Sequence, residues 1–277
     1  MNFGMVEYLG LDQQSFLLPA PQGNFSGTVP VTKYVHVGFP RWTDGIVLPN
    51  RLPEKNSLIE YAKKYDSIEL NASHYKIYSE DQIKNWVKKI GGNKFLFCPK
   101  MYKGITNFGG LTNKDKITAE FLKEISCFEK HLGPSFIQVN ELSPGRSIEL
   151  FTFLMALPAE FQFFLDIHHP DWFSVQDNFS NLFNQLRELN IGLVITDTPG
   201  RRDIVHSQFP VPKAFVRFNC IGDHELDFFR IEQWKTQFEK LFKMGLQEAY
   251  FFLHVANKDD QLKIDFAKYV NHQFNNI

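Results

Sequence analysis

Cysteine is scarce in this sequence of 277 residues, and its three copies, Cys98, Cys127 and Cys220, lie far apart with no CxxC pair. A sparse, odd count argues against a disulfide framework or a zinc ribbon and is typical of a reducing compartment. Long apolar runs are also missing, since no stretch approaches the ~18 uncharged apolar residues that a membrane helix needs. The N-terminus carries Glu7 and Asp12 and lacks the basic and apolar regions of a signal peptide. These absences predict a cytoplasmic protein with no membrane partner.

An excess of charge of either sign is absent as well, because 30 Lys and Arg oppose 31 Asp and Glu for a formal net charge of -1. This balance excludes a strongly basic nucleic-acid coat and does not support a nucleic-acid partner, although a local basic patch remains open. Hydrophobic residues make up 43% of the chain, enough to fill a large core. The 29 phenylalanines mostly recur inside apolar runs, which indicates core packing.

Short apolar runs alternate with helical patterns after an irregular lead-in over residues 1–33. Helical spacing is clear at Trp234, Phe238 and Leu241. The predicted strands are Tyr34–Gly38, Ser67–Asn71, Phe95–Lys100, Ser135–Asn140, Gln162–His168, Leu193–Asp197, Ala214–Phe218 and Ala249–His254. They are apolar almost throughout, as expected for strands covered on both faces. We therefore predict an α/β fold, a single TIM-type (β/α)8 barrel domain over residues 34–277.

One connection departs from this pattern. Between Asp197 and Ala214, the sequence Thr-Pro-Gly-Arg-Arg-Asp and a proline-containing segment leave no room for a helix of ordinary length. We predict a long loop here, which makes the barrel irregular after strand six. Such a loop is either functional or evidence against a regular barrel.

Polar residues end nearly every predicted strand. The C-terminal ends of parallel barrel strands meet on one face, where the active sites of this fold are found. The residues expected to converge there are Glu69, Asn71, Lys100, Gln138, Asn140, Asp166, His168, His169, Asp197, Arg217, Asn219, His254 and Asn257. We interpret this set as a functional site. Separately solvated strand ends are the alternative.

Several blocks of the sequence resemble one family. The blocks are Ser67–Tyr75, Phe95–Lys100, Gly104–Thr106, Leu165–Phe173, Ile195–Asp203 and Phe215–Arg217. In order and spacing they resemble the YecE-like family, the domain of unknown function 72 (DUF72), over roughly residues 34–257. The resemblance implies a TIM-type barrel and no established activity. The residues that match the family's pattern are Glu69, Asn71, Lys100, Asp197, Arg201, Arg202, Asp203 and Arg217.

Three departures from the family's pattern fall on the predicted functional face. The family's Glu-x-Arg-His reads Asp166-Ile-His-His169 here, which shortens the acid by one methylene and replaces a guanidinium by the titratable imidazole of His168. The family's Thr-His reads Thr106-Asn107, which removes an acid–base group or metal ligand. Its Gln-x-Pro-Pro reads Gln138-Val-Asn-Glu141. Chemistry shared with other members therefore does not follow from the resemblance alone.

Acid–base chemistry is the first hypothesis for this face. Glu69, Asp166 and Asp197 are predicted to point toward one pocket, with His169 as a fourth catalytic candidate. Paired carboxylates whose pKa values are split suit hydrolysis. Basic neighbours would instead lower both pKa values, and a structural ion-pair network closing the barrel top is the competing interpretation.

A divalent metal ion is the second hypothesis. His168, His169 and His254 offer nitrogen donors beside the carboxylates of Glu69 and Asp166. Adjacent strand residues point to opposite faces, so His168 and His169 are not both expected to ligate. The sequence has no HxH or HExxH spacing. The cofactor therefore stays undetermined.

Anion binding is the third hypothesis. Arg201 and Arg202 follow strand six, and late loops of such barrels often hold phosphate, whose oxygens guanidinium groups bind in pairs. An Arg–Asp clasp within the loop is the alternative. Trp42, Tyr75 and Trp172 are candidates to stack on a sugar or base, or else to plug the barrel mouth.

Together these observations predict a hydrolase or phosphodiesterase-like enzyme acting on a polar anionic small molecule or nucleotide. The alternative is a non-catalytic ligand-binding barrel whose strand ends form a structural network. The predicted substrate-binding residues are Asn71, Tyr75, Lys100, Gln138, Trp172, Arg201, Arg202 and Arg217.

Overall fold

The protein, seen here as a computed structural model, is described over residues 12–23, 25, 33–42, 54–107, 110–255, 260–274 and 277. The strands are β1 (Val35–Phe39), β2 (Ser67–Leu70), β3 (Leu96–Pro99), β4 (Ser135–Val139), β5 (Phe163–Ile167), β6 (Gly192–Asp197), β7 (Lys213–Asn219) and β8 (Glu248–His254). Each strand begins and ends within one residue of its predicted bounds. Apolar runs of this length between polar turns mark buried strands clearly.

Helices separate most of the strands. They are α1 (Glu54–Ala62), α2 (Glu80–Lys89), α3 (Lys103–Thr106), α4 (Asp115–Ser126), α5 (Ser147–Met155), α6 (Asp171–Ser174), α7 (Gln176–Glu188), α8 (His224–Lys243) and α9 (Asp260–Phe274). Short 3₁₀ helices span Gln13–Phe16, Asn71–His74, Glu129–His131, Pro144–Arg146 and Arg202–Ile204. The longest helix, α8, begins after Asp223, whose carboxylate accepts a hydrogen bond from the backbone N–H of Leu226 at 3.2 Å.

All eight strands are parallel and follow the order β3-β2-β1-β8-β7-β6-β5-β4. The two outer strands of this order also meet, because Lys100 and Phe136 form a parallel bridge and the N–H of Met101 donates to the carbonyl of Phe136 at 2.9 Å. The sheet is therefore a nearly closed barrel surrounded by helices. This confirms the predicted TIM-type (β/α)8 fold.

Alternation along the strands divides the apolar side chains into two cores. The inner core fills the barrel and contains Cys98, Phe136, Phe164, Val194, Val211, Phe215, Tyr250 and Phe252. Gly192 makes room for it, since a Cβ there would lie 2.2 Å from the Phe164 ring. The outer core lies between strands and helices, where Trp234, Phe238 and Leu241 of α8 are fully buried. Strands covered on both faces need apolar residues at nearly every position.

The connection between β6 and β7 contains only the 3₁₀ helix Arg202–Ile204, as the predicted long loop requires. Part of the N-terminal lead-in lies against it. The N–H of Gln22 donates to the carbonyl of Ser207 at 2.8 Å, and Gln237 of α8 donates to the carbonyl of Pro19 at 3.0 Å. The lead-in thus packs where the regular helix is missing.

None of the helices found in the described parts of the chain is both long enough and apolar enough to span a bilayer.

Candidate functional site at the C-terminal barrel face

Polar side chains face the barrel interior at or just beyond the C-terminal ends of five strands. They lie above the inner core because every second residue of a strand points inward. We call the five the central cluster: Glu69, Lys100, Gln138, Asp166 and Arg217. All five side chains are buried.

Arg217 lies at the middle of the central cluster. Its Nε and Nη2 donate to the two oxygens of Glu69 at 3.1 and 2.9 Å, and its Nη1 donates to Asp166 at 2.8 Å. Gln138 accepts a hydrogen bond from Lys100 Nζ at 2.6 Å and donates to Asp166 at 2.6 Å. One hydrogen-bonded network therefore crosses the barrel from β2 to β7.

Both carboxylates of the central cluster are held in the ionised form. Burial raises the pKa of Glu69, but Arg217 and His254 more than offset it and hold that pKa well below its usual range. Burial likewise raises the pKa of Asp166, and His168 and Arg217 more than reverse it. The paired-carboxylate hypothesis required one acid to stay protonated. These contacts hold both in the same ionised state instead, since each acid faces the same guanidinium.

Each carboxylate also holds an imidazole. His168 Nε2 lies 2.7 Å from Asp166 Oδ1, and His254 Nε2 lies 2.9 Å from Glu69 Oε2. The side chains of His168 and His254 are 11% and 17% exposed, so solvent and ligands reach them while the acids stay buried. A carboxylate that fixes a partly exposed imidazole is the usual arrangement of a general acid–base pair.

Two cavities open on this face, on either side of the central cluster. The β4–β6 cavity has a volume of about 710 Å³, and the residues lining it include Asn140, His168, His169 and Arg201. The β1–β3 cavity has a volume of about 760 Å³ and is lined by Pro40, Arg41, Trp42, Ile68, Leu70, Asn71, Ala72, His74, Tyr75, Lys100, Lys103, Asn107, Arg217 and His254. Asn107 lines both. Each volume is in the range of small-molecule sites.

The β1–β3 cavity is cationic. Among the described residues that line it are four lysines and arginines, and none is Asp or Glu. Tyr75 is 67% exposed at its mouth, with Lys103 Nζ 5.5 Å from the ring centre. Asn71 lines the cavity and donates to Glu69 at 2.8 Å, which helps to hold that buried carboxylate in place. This lining suits an anionic ligand with a flat or apolar part.

His74 is a residue of this cavity that sequence reasoning missed. The 3₁₀ helix Asn71–His74 turns the chain back toward β3, so that His74 Nδ1 lies 2.8 Å from the carbonyl of Met101. Burial lowers the pKa of His74 to about 4, which keeps the ring neutral. Its place in the Ser67–Tyr75 block was the available signal.

Asp197 does not join the central cluster. The preceding residue, Thr196, faces inward and donates to Asp166 at 2.9 Å, so Asp197 points outward into the helix layer. There it accepts hydrogen bonds from Arg230 at 2.9 Å and from the indole of Trp234 at 2.7 Å. The predicted convergence of Asp197 with Glu69 and Asp166 is therefore wrong.

The tandem arginines have separate contacts. Arg202 forms an ion pair with Asp197, and its guanidinium lies 5.3 Å from the centre of the Phe16 ring, which ties the lead-in to β6. Arg201 pairs with Asp203 at 2.8 Å and donates to the carbonyl of His168 at 2.8 Å. The Arg–Asp clasp is thus present, while Arg201 still lines the β4–β6 cavity.

Two further candidate site residues, His169 and Trp172, have different surroundings from one another. His169 lines the β4–β6 cavity, with Nδ1 3.8 Å from Asp171. Trp172 does not face a ligand because it is 1% exposed and its indole N–H donates to the carbonyl of Leu142 at 2.7 Å. Its predicted stacking role is wrong, and it packs into the outer core instead. The described residues contain no group of three imidazole, thiol or carboxylate side chains that could hold a metal ion.

Comparison with known proteins identifies the family. Residues 36–275 match the family described as "Protein of unknown function DUF72". The chain belongs to the DUF72 family. It is 25% identical over 240 residues to the UPF0759 protein YecE of Escherichia coli K12, an alignment that covers 80% of this chain and 87% of YecE.

Solved structures of DUF72 proteins share the fold. One from Enterococcus faecalis V583 superposes with a TM-score of 0.70 at 16% identity, over 87% of this chain and 96% of that one. Another from Thermotoga maritima MSB8 gives a TM-score of 0.62 at 16% identity, over 86% of this chain and 99% of that one. The departures at Asp166, His168 and Asn107 lie in the central network and in the walls of the two cavities.

Proposed function

We propose that this DUF72 protein is a hydrolase-type enzyme that binds a small polar anion, such as a phosphate-containing metabolite or a nucleotide, in the β1–β3 cavity. The cationic lining of that cavity carries the proposal. Positive charge in a concave, partly dry site raises the local concentration of anions and stabilises negative charge that develops during a reaction.

His254 is the acid–base residue of this proposal. Glu69 holds its Nε2, and the ring lines the cavity. In this proposal the second ring nitrogen, Nδ1, exchanges a proton with the ligand. The contact with Glu69 orients the imidazole for proton transfer to or from a bound ligand. Arg217 and Lys103 supply charge to an oxyanion in the same cavity.

A non-catalytic ligand-binding barrel is the second candidate. The observation that favours it is the completeness of the central network: Glu69 is 0% and Arg217 3% exposed, and each meets the other directly. A network of this kind closes the barrel top whether or not a reaction occurs above it. Turnover decides between the two candidates.

The experiment measures binding and turnover separately. Binding of inorganic phosphate and AMP is followed by calorimetry, and hydrolysis is followed with p-nitrophenyl phosphate and bis(p-nitrophenyl) phosphate. We expect His254→Gln to lower kcat by roughly 10²–10⁴-fold, the usual contribution of a general acid or base. We expect it to leave the dissociation constants within about threefold, because the amide keeps the polar contact with Glu69.

The matched control is His224→Gln, which makes the same change at an exposed position of α8. It is expected to leave both measurements unchanged. Binding of anions without hydrolysis in the wild type would favour the binding barrel. Absence of both would overturn the anion site itself.

A further inference from the structure

Lys100 is placed unlike an ordinary lysine. It follows β3 at the barrel face and is only 6% exposed, yet it lines the β1–β3 cavity. Its Nζ donates to the side-chain oxygen of Gln138 at 2.6 Å. A neutral amide holds the amine in place without supplying the negative charge that would keep it protonated.

Burial and a neighbouring cation favour loss of the proton from this amine, and the charges of Asp166 and Glu69 oppose them only in part. Among the described residues, no carboxylate lies within ion-pair distance of Lys100 Nζ. Arg217 is a second cation that acts on this amine, and both border Phe136, whose ring centre lies 5.9 Å from Lys100 Nζ and 5.2 Å from the Arg217 guanidinium. Burial, followed by the charge of Arg217, lowers the pKa of Lys100 to about 8. A desolvated lysine beside another cation is a recognised way to activate an amine nucleophile.

We propose that Lys100 is a catalytic nucleophile that forms an imine with the carbonyl group of a small anionic aldehyde or ketone bound in the β1–β3 cavity. The amine nitrogen attacks the carbonyl carbon, a C–N bond forms as the C=O π bond breaks, and transfer of one N–H proton to the oxygen gives a carbinolamine. The nitrogen then loses its proton, and the carbinolamine hydroxyl takes up a proton and leaves as water. The product is a C=N bond, and no oxidant or reductant is needed.

The cavity indicates the substrate class. Lys103 and Arg41 line it beyond Lys100, so a carboxylate or phosphate of the ligand would meet positive charge while its carbonyl reaches the amine. His254 and His74 both line the same cavity, and His254 is the one whose Nε2 is held by a carboxylate, that of Glu69. The inference rests on the anion site of the proposed function but not on hydrolysis.

Reductive trapping tests the inference. The full-length protein is incubated at pH 7.5 with glyceraldehyde 3-phosphate or, separately, pyruvate in the presence of cyanoborohydride, which converts an imine into a stable secondary amine. Modified lysines are then located by peptide mass mapping. We expect Lys100 to be modified at least tenfold faster than the exposed Lys63, with a rate that rises toward alkaline pH. Inorganic phosphate should slow modification at Lys100 and leave Lys63 unaffected.

Lys100→Arg keeps a cationic side chain at this position but removes the amine nucleophile. It is expected to lose the adduct at this position and to leave the modification of Lys63 unchanged. Wild-type protein that binds phosphate but modifies Lys100 no faster than Lys63 would overturn the imine while the anion site stands. Rapid modification of Lys100 by pyruvate without any phosphate binding would support the imine and contradict the phosphate-binding form of the proposed function. Failure of both measurements overturns both.

Discussion

The two ends of the barrel both carry clustered charge, partly buried at the N-terminal end and buried at the C-terminal end, but they use it differently. At the N-terminal end His36 bridges two acids, with Nδ1 2.9 Å from Asp66 and Nε2 2.9 Å from Glu248. Lys213 adds a second cation 3.0 Å from Glu248. The cations and acids of this end therefore match one another across neighbouring strands.

At the C-terminal end the matching is incomplete on the side of the β1–β3 cavity. Arg217 satisfies both acids of the central cluster, which leaves Lys100 held by an amide rather than an acid. His254 is anchored from behind and lines the cavity. A network of matched charges stabilises the barrel, whereas surplus positive charge on a cavity wall stabilises an anion that binds there. This is why the chemistry is proposed for the C-terminal end.

Replacing Arg217 should give the largest effect. We expect Arg217→Met to reduce the free energy of unfolding by about 3–5 kcal/mol, because it leaves two buried carboxylates without their shared cation. It should also abolish phosphate binding. Urea unfolding and calorimetry measure the two effects.

Lys213→Met is the matched change at the N-terminal end, where the lysine is one third exposed. We expect it to cost less than about 1 kcal/mol, as partly exposed ion pairs usually do, and to leave phosphate binding intact. Equal losses of binding in Arg217→Met and Lys213→Met would mean that the two ends do not differ in function.

The fold was predictable because its strands are apolar on both faces. Runs such as Phe163–Ile167 and Glu248–His254 stand out from the amphipathic helices around them. Their parallel arrangement then placed all C-terminal ends on one face, and Glu69, Asp166 and Arg217 were expected to meet there. The structure brings these three into direct contact.

Because the strands are apolar on both faces, the sequence does not show which way an individual side chain points. In β6 both faces are buried, so no polar alternation shows whether Thr196 or Asp197 points inward. The answer depends on where β6 pairs with β7, since Thr196 lies opposite Arg217. Such a register depends on contacts between distant segments. Trp172 illustrates the same limit, because its partner Leu142 is thirty residues away in the sequence.

Replacing Asp197 should separate stability from function. Its oxygens accept hydrogen bonds from Arg230 and Trp234 and from Arg202 of the loop. We expect Asp197→Asn to cost about 2–3 kcal/mol, since hydrogen bonds to a charged partner are lost and an amide N–H faces donors. Phosphate binding and turnover should persist at low temperature, because Asp197 faces the helix layer. If the Asp197→Asn protein is stable but does not bind phosphate, Asp197 contributes to the ligand site after all.

The N-terminal end should show its charge matching as a pH dependence of stability. Burial lowers the pKa of His36, but hydrogen bonds with Asp66 and Glu248 more than reverse this and raise it to about 9. The folded state therefore holds this proton more tightly than the unfolded state does. The resulting stabilisation is complete below pH ~6.5, the usual histidine pKa, and is lost as the pH rises through about 9.

His36→Gln removes this contribution, so the wild type should exceed the variant in unfolding free energy by about 3 kcal/mol more at pH 6 than at pH 10. Tyr34 and Tyr250 pack against the His36 ring, and burial raises the pKa of both phenols further above this pH range. Urea unfolding at several pH values measures the difference between wild type and variant. A difference that stays constant between pH 6 and pH 10 would show that folding does not change the pKa of His36, and the N-terminal end would then not be a set of matched charges.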